Sequence, residues 1–177
     1  HYTFMRLNAE KLRKLEEERA KGVIKEVKRY PIYFILEDIY DTYNIGGLFR
    51  LADALAIEKM YLVGETETPP NSRIKKASIG TYKIVNWQYC KDTKEAVKSI
   101  TYNVERRMFK KNKMFDVSRS RLQIIAVEQH PKSIVYTKAK YSLPLVLIFG
   151  NESYGIKKET LKLVDQIVEI PMWGVNK

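Results

Sequence analysis

Apolar positions along the chain alternate between short continuous runs and helical spacings, and that alternation predicts the architecture. Ile32 to Leu36 and Leu145 to Phe149 are unbroken apolar runs of the length of strands buried on both faces. Lys59 to Val63, Lys83 to Tyr89, Leu122 to Glu128 and Ile167 to Ile170 read as further strands. Between them, Asn44 to Ala56 places Ile45, Leu48, Phe49, Ala52, Leu55 and Ala56 at helical spacing. Thr93 to Lys110 reads as a charged helix and Lys157 to Val164 as a shorter one. Glu65 to Ser72, with Pro69-Pro70, reads as a loop, and Lys110 to Arg121 as a basic, irregular exposed one. Upstream, Asn8 to Lys28 predicts a polar helix that Asn8 can cap, with a thin stripe of Leu12, Leu15, Val23 and Val27 that Gly22 interrupts. Strands alternating with helices predict an α/β fold, a mostly parallel sheet flanked by helices. The boundaries are a basic helical arm over 1–29 and one domain over 30–177.

Composition narrows this picture. A chain of 177 residues, 45% hydrophobic, has the size and apolar content for one domain with a real core. Its longest apolar runs fall far short of the roughly 20 residues a membrane-spanning helix needs, so no membrane partner is expected. Cys90 stands alone, which excludes an internal disulfide; with only His1 and His130 beside it, no metal site is expected. A reducing, cytoplasmic setting follows. Thirty-two Lys and Arg against 21 Asp and Glu leave a net charge of +11, a field that favours polyanions such as RNA, with an anionic membrane surface as the rival on charge alone. The basic arm and Lys110 to Arg121 are the natural phosphate contacts, although each also reads as a solvated surface.

No glycine-rich dinucleotide fingerprint, phosphate loop or nucleophile elbow occurs in the chain. Three glycine-bearing segments follow expected strands instead: Asn44-Ile45-Gly46-Gly47-Leu48-Phe49-Arg50, Ile148-Phe149-Gly150-Asn151-Glu152-Ser153-Tyr154-Gly155-Ile156, and Ile170-Pro171-Met172-Trp173-Gly174. Ligands of open α/β sheets bind beyond the carboxyl ends of strands, where these segments fall. Singly, each has an ordinary reading: Asn44 as a helix cap, Gly150 and Gly155 as turn residues, Ile-Pro-Met as a strand end.

In combination and order, the segments resemble the SpoU (TrmH-like) branch of the SPOUT RNA methyltransferases, through its N-x-G-x-x-x-R, apolar-G-N-E-x-x-G and I-P-M-x-G motifs. Lys76-Ala77-Ser78-Ile79-Gly80-Thr81 is similar to its K-A-S-x-G segment. The resemblance covers Tyr30 to Lys177 and implies a C-terminal trefoil knot, S-adenosylmethionine as cofactor, a tRNA or rRNA substrate and a homodimer. It implies methyl transfer to a ribose 2′-hydroxyl, with Gly150, Ile170 and Met172 at the cofactor and Arg50, Asn44 and Glu152 at the reaction. In this reading Gly150 leaves room for the cofactor, Glu152 anchors Arg50 or Asn44, and Met172 and Trp173 are candidates for a subunit interface. Arg50 grips a phosphate and stabilises the developing alkoxide, since a guanidinium holds its proton too tightly to serve as a base. The family's third motif continues into S-L-N-V, whereas this chain stops at Val175-Asn176-Lys177. That departure predicts either a longer natural chain or a domain without ordinary cofactor binding, and the well-formed final strand favours the first. The alternative function is a non-catalytic RNA-binding protein that keeps the fold. A base-methylating relative is disfavoured by Arg50 after the N-x-G segment.

Overall fold

The structure is a computed structural model that describes Lys14 and residues 28–110 and 121–174. The predicted arm helix, apart from Lys14 and Lys28, the interior of the basic loop (111–120) and residues 175–177 lie outside the described residues.

Seven strands form one sheet: β1 (Tyr30–Glu37), β2 (Ile57–Val63), β3 (Trp87–Cys90), β4 (Gln123–Val127), β5 (Ile134–Val135), β6 (Leu145–Phe149) and β7 (Gln166–Glu169). Their order across the sheet is β3-β2-β1-β6-β4-β7-β5, and every pairing is parallel. Parallel strands need crossovers, which α1 (Thr42–Ala54), α2 (Ser72–Ser78), α3 (Thr93–Lys110) and α4 (Lys158–Leu161) help supply.

The unbroken apolar runs sit where burial on both faces requires them. On one face Phe34 and Leu36 of β1 pack with Ile45, Phe49 and Ala52 of α1. On the other, Tyr33 and Ile35 pack with Ala96, Ile100 and Val104 of α3. Phe34 and Phe149 meet edge to face at 5.2 Å, joining β1 to β6.

Several expected boundaries move. The first helix begins at Thr42, and its cap is Asp41, whose side chain accepts the Tyr43 N–H at 2.7 Å. Asn44 therefore lies inside the first turn and is not the cap. The expected third strand over Lys83 to Tyr89 is shorter, because Thr81–Lys83 forms a 3-10 turn and Val85 enters the core from outside the sheet. Helix α2, which the apolar pattern did not predict, is capped by Asn71, which accepts from Arg73 N at 2.8 Å and Ile74 N at 3.3 Å.

Register places the functional edge. Leu36, Phe149, Val127 and Val168 stand level across β1, β6, β4 and β7. The residues just beyond them, including Asp38, Gly150, Glu128 and Ile170, therefore line one carboxyl edge. From β1 the chain turns towards β2, whereas from β6 it turns the other way towards β7. The β1/β6 boundary is thus a switch point, where open α/β sheets hold their ligands.

Candidate active site

Two loops 108 residues apart meet at this boundary. Glu152 Oε1 accepts the Asn44 side-chain N–H at 3.0 Å and the Asp41 backbone N–H at 3.2 Å; Oε2 accepts the Tyr40 N–H at 3.3 Å. One carboxylate thereby gathers the entry to α1 onto the loop that follows β6. Of the two partners expected for Glu152, the structure selects Asn44.

Asn151 closes that loop. Its side-chain N–H donates to the Asp38 carbonyl at 2.6 Å, and its Oδ1 accepts the Ser153 and Tyr154 N–H groups at 2.8 and 3.0 Å. Backbone bonds run both ways between Asn151 and Gly155, at 3.1 and 2.9 Å. The chain consequently crosses itself against Gly150, where a Cβ would stand 2.5 Å from Gly155 C and 2.6 Å from Ile156 N. The close approach that demands glycine here is that of the protein's own backbone. The first motif has an equivalent. A Cβ on Gly46 would overlap the Ala77 side chain and stand 2.9 Å from Ser78 N, so the Lys76–Thr81 segment packs directly on the first motif through α2.

Beneath the loops lies a layer of carboxylates that motif reading missed. Glu37 is only 2% exposed yet fully engaged. It accepts the Thr93 hydroxyl at 2.5 Å, the Thr160 hydroxyl at 2.6 Å and the Lys157 N–H at 2.9 Å. Asp38 accepts the Glu65 N–H at 2.8 Å and pairs with the Lys157 ammonium at 2.6 Å; the hydrogen bond to Asp38 raises the Lys157 pKa above its ordinary value. Glu128 accepts the Ile156 N–H at 2.8 Å. These acids end β1 and β4 and pin the loop that carries Gly150 to Ile156. Two adjacent acidic residues closing an apolar strand are the only sequence signal for them.

Arg50 lies exposed on α1, 6 residues past Asn44, and its side chain makes no hydrogen bond or ion pair among the described residues. The bonds described for Glu152 go to Asn44, Asp41 and Tyr40 instead. Ile170 and Met172 follow β7 on the same sheet edge and are about half exposed, while Trp173 is 91% exposed. The structure therefore brings Asn44, Gly150 and Glu152 into one cluster, sets Arg50 on the helix that cluster anchors, and places Ile170 and Met172 along the same edge two strands away. Among the described residues no group of acids, His and Cys could hold a metal, and no helix is long and apolar enough to cross a membrane.

Comparison with known proteins points the same way. Residues 31–177 match the model of the SpoU rRNA Methylase family. The tRNA (guanosine(18)-2′-O)-methyltransferase of Thermus thermophilus is 26% identical over 161 residues, covering 89% of this chain and 73% of that protein. The 23S rRNA (guanosine-2′-O-)-methyltransferase RlmB of Neisseria meningitidis is 25% identical over 156 residues, covering 87% of this chain and 54% of that one. Among solved structures, the SpoU methyltransferase AviRb of Streptomyces viridochromogenes, in complex with AdoMet, superposes with a TM-score of 0.68 at 20% identity over 86% of this chain. The chain spans 52% of that structure, and the likeness at this identity is one of fold.

Proposed function

The chain belongs to the SpoU rRNA methylase family, and from that premise we propose that it transfers a methyl group from S-adenosylmethionine to a ribose 2′-hydroxyl of tRNA or rRNA. The observation that carries the reading is the Asn44–Glu152 hydrogen bond, which joins the first and second motifs at the sheet's switch point. The names of the Thermus and Neisseria relatives support the ribose and both classes of RNA.

The residues present fit the cofactor in a particular way. Ile170 and Met172 offer half-exposed apolar surface at the sheet edge. Among the described residues, the backbone from 170 to 174 forms no backbone hydrogen bonds outside regular elements, which leaves its amides and carbonyls for a flat, polar-edged ligand. Gly150 contributes by letting its loop close, which fixes where that edge lies. S-adenosylmethionine, when bound, supplies a methyl group already activated by its sulfonium.

The protein's own task is then alignment and charge. Glu152 holds Asn44 and the start of α1, so the helix carrying Arg50 has one position relative to the loop after β6. Arg50, exposed and unpaired among the described residues, grips an RNA phosphate with its two-pronged donor face. The same positive charge stabilises the ribose oxygen as its proton passes to solvent water at this exposed position and the oxygen takes the methyl group, the S–CH3 bond breaking and S-adenosylhomocysteine leaving.

A homodimer belongs to the same proposal. The apolar surface of Met172 and Trp173, continuous with the cofactor edge, supports burial against a second copy. A cytoplasmic setting is likewise proposed, on the unpaired Cys90.

The test is transfer of labelled methyl from S-adenosylmethionine to total tRNA and rRNA by the full chain. Label is expected in one RNA class and lost on Arg50→Ala. Cofactor and RNA binding without transfer would favour a non-catalytic RNA-binding protein.

A further inference from the structure

Beside the Asn44–Glu152 contact lies an open cleft of about 380 Å³, inside the roughly 300–1,000 Å³ range of small-molecule sites. Four of its lining residues are chemically suited to one kind of ligand. Tyr40 and Tyr43 are more than half exposed and flank the start of α1. Glu67 and Arg73 face the same space from the segment between β2 and α2. Among the described residues, neither the Glu67 carboxylate nor the Arg73 guanidinium is engaged in a hydrogen bond or ion pair.

These walls are held in place. Thr66 is buried; its hydroxyl donates to the Leu36 carbonyl at 2.9 Å and accepts the Ile39 N–H at 3.0 Å, which ties the residue before Glu67 to the end of β1. Asn71 fixes the backbone of Arg73 through its 2.8 Å cap. The Tyr40 and Asp41 amides that line the other side are those held by Glu152. The cleft and the proposed reaction site therefore share a backbone segment.

Aromatic rings at an open mouth stack an unpaired base. A free carboxylate accepts two N–H groups side by side, the pattern guanine presents through N1–H and its exocyclic amine. Adenine, with an acceptor at N1, cannot satisfy both oxygens. A free guanidinium suits the attached phosphate. We infer that this cleft is a nucleotide subsite in which Tyr40 and Tyr43 stack a guanine, Glu67 reads its Watson–Crick edge and Arg73 holds its phosphate. The inference deepens the RNA-methylation reading and rests on it for the identity of the macromolecule. The chemistry of the subsite stands on the four side chains.

Equilibrium binding of guanosine 5′-monophosphate, adenosine 5′-monophosphate and cytidine 5′-monophosphate to the full chain, without methyl donor, tests it. The guanine nucleotide should bind about tenfold tighter than the adenine one, the discrimination a bidentate base contact provides. Glu67→Ala should weaken the guanine nucleotide about tenfold and leave the adenine nucleotide unchanged, with Glu67→Gln intermediate. Tyr43→Ala should weaken both alike, and Arg73→Ala should weaken the nucleotides but not free guanosine. Equal binding of the three nucleotides, no saturable binding, or guanine preference unaltered in Glu67→Ala would overturn the subsite. The two readings fail separately. Guanine-selective binding without methyl transfer to any RNA contradicts the transferase, and methyl transfer with no base selectivity contradicts the cleft.

Discussion

Asn151→Ala is the substitution whose cost the structure specifies best. The side chain is 7% exposed and makes three hydrogen bonds: one donated to the Asp38 carbonyl at 2.6 Å and two accepted, from Ser153 N at 2.8 Å and Tyr154 N at 3.0 Å. Each such bond contributes about 1 kcal/mol net, so truncation should cost about 3 kcal/mol. In a chain of this length that lowers the Tm by roughly 6–12 °C. The loss falls on the loop that carries Gly150 and Glu152, so it should reach function as well. If the loss leaves the open loop favoured by about 1.4 kcal/mol, the competent fraction and the apparent affinity for S-adenosylmethionine both fall about tenfold. Asn151→Asp keeps the two accepting contacts but sets a carboxylate against the Asp38 carbonyl, so it should recover part of the loss at most. Denaturant unfolding and calorimetric titration of cofactor measure both quantities. A stability loss below about 0.5 kcal/mol, with cofactor affinity unchanged, would refute the idea that Asn151 closes the loop.

Further expectations follow from the same geometry. Arg50→Lys keeps the charge and loses the two-pronged donor face, so methyl transfer should fall by about 10²-fold with stability unchanged; near-native turnover would contradict the bidentate role. Burial pushes the Tyr33 phenol up to about 12 from an ordinary value of 10.0. Unfolded chains therefore ionise first, and stability held below pH 10 should be lost as pH rises towards 12. Tyr33→Phe should flatten that loss by up to about 2 kcal/mol, and an identical alkaline profile for the variant in denaturant melts would count against it. Gly150→Ala forces a methyl into the Gly155 and Ile156 backbone and should destabilise by several kcal/mol on thermal melting, about 3 or more; a variant that melts like the parent would show that the crossing relaxes freely.

The sheet was largely legible in the sequence because its strands are buried on both faces, and an unbroken run such as Leu145–Phe149 has few other readings. Helix α2 was not, since only Ile74 and Ser78 of its 7 residues are buried, too few to set a helical period. The two-residue β5 carries no pattern of its own, and Val85 resembled a strand residue because a core position filled from the bend after a 3-10 turn is equally apolar. At the site, the motifs singled out Asn44 and Glu152 and left Glu152 a choice between Arg50 and Asn44, which only the meeting of two loops 108 residues apart decides. At Gly150 the motif pointed to a close approach, but not to the Gly155 and Ile156 backbone that stands against it. Glu37 was hidden because the residues that satisfy it, Thr93, Lys157 and Thr160, lie 56 to 123 positions away. A buried carboxylate is invisible until such partners are brought together.

The central claim, that the two loops build a site for methylating an RNA ribose, is tested most directly by the chemistry of the product. RNA labelled by the full chain with radioactive S-adenosylmethionine can be hydrolysed in alkali, which cleaves only where a free 2′-hydroxyl can attack the adjacent phosphate. Label on a ribose 2′-oxygen should emerge in an alkali-resistant dinucleotide. Label recovered in single nucleotides, with the methyl on a base, would contradict it.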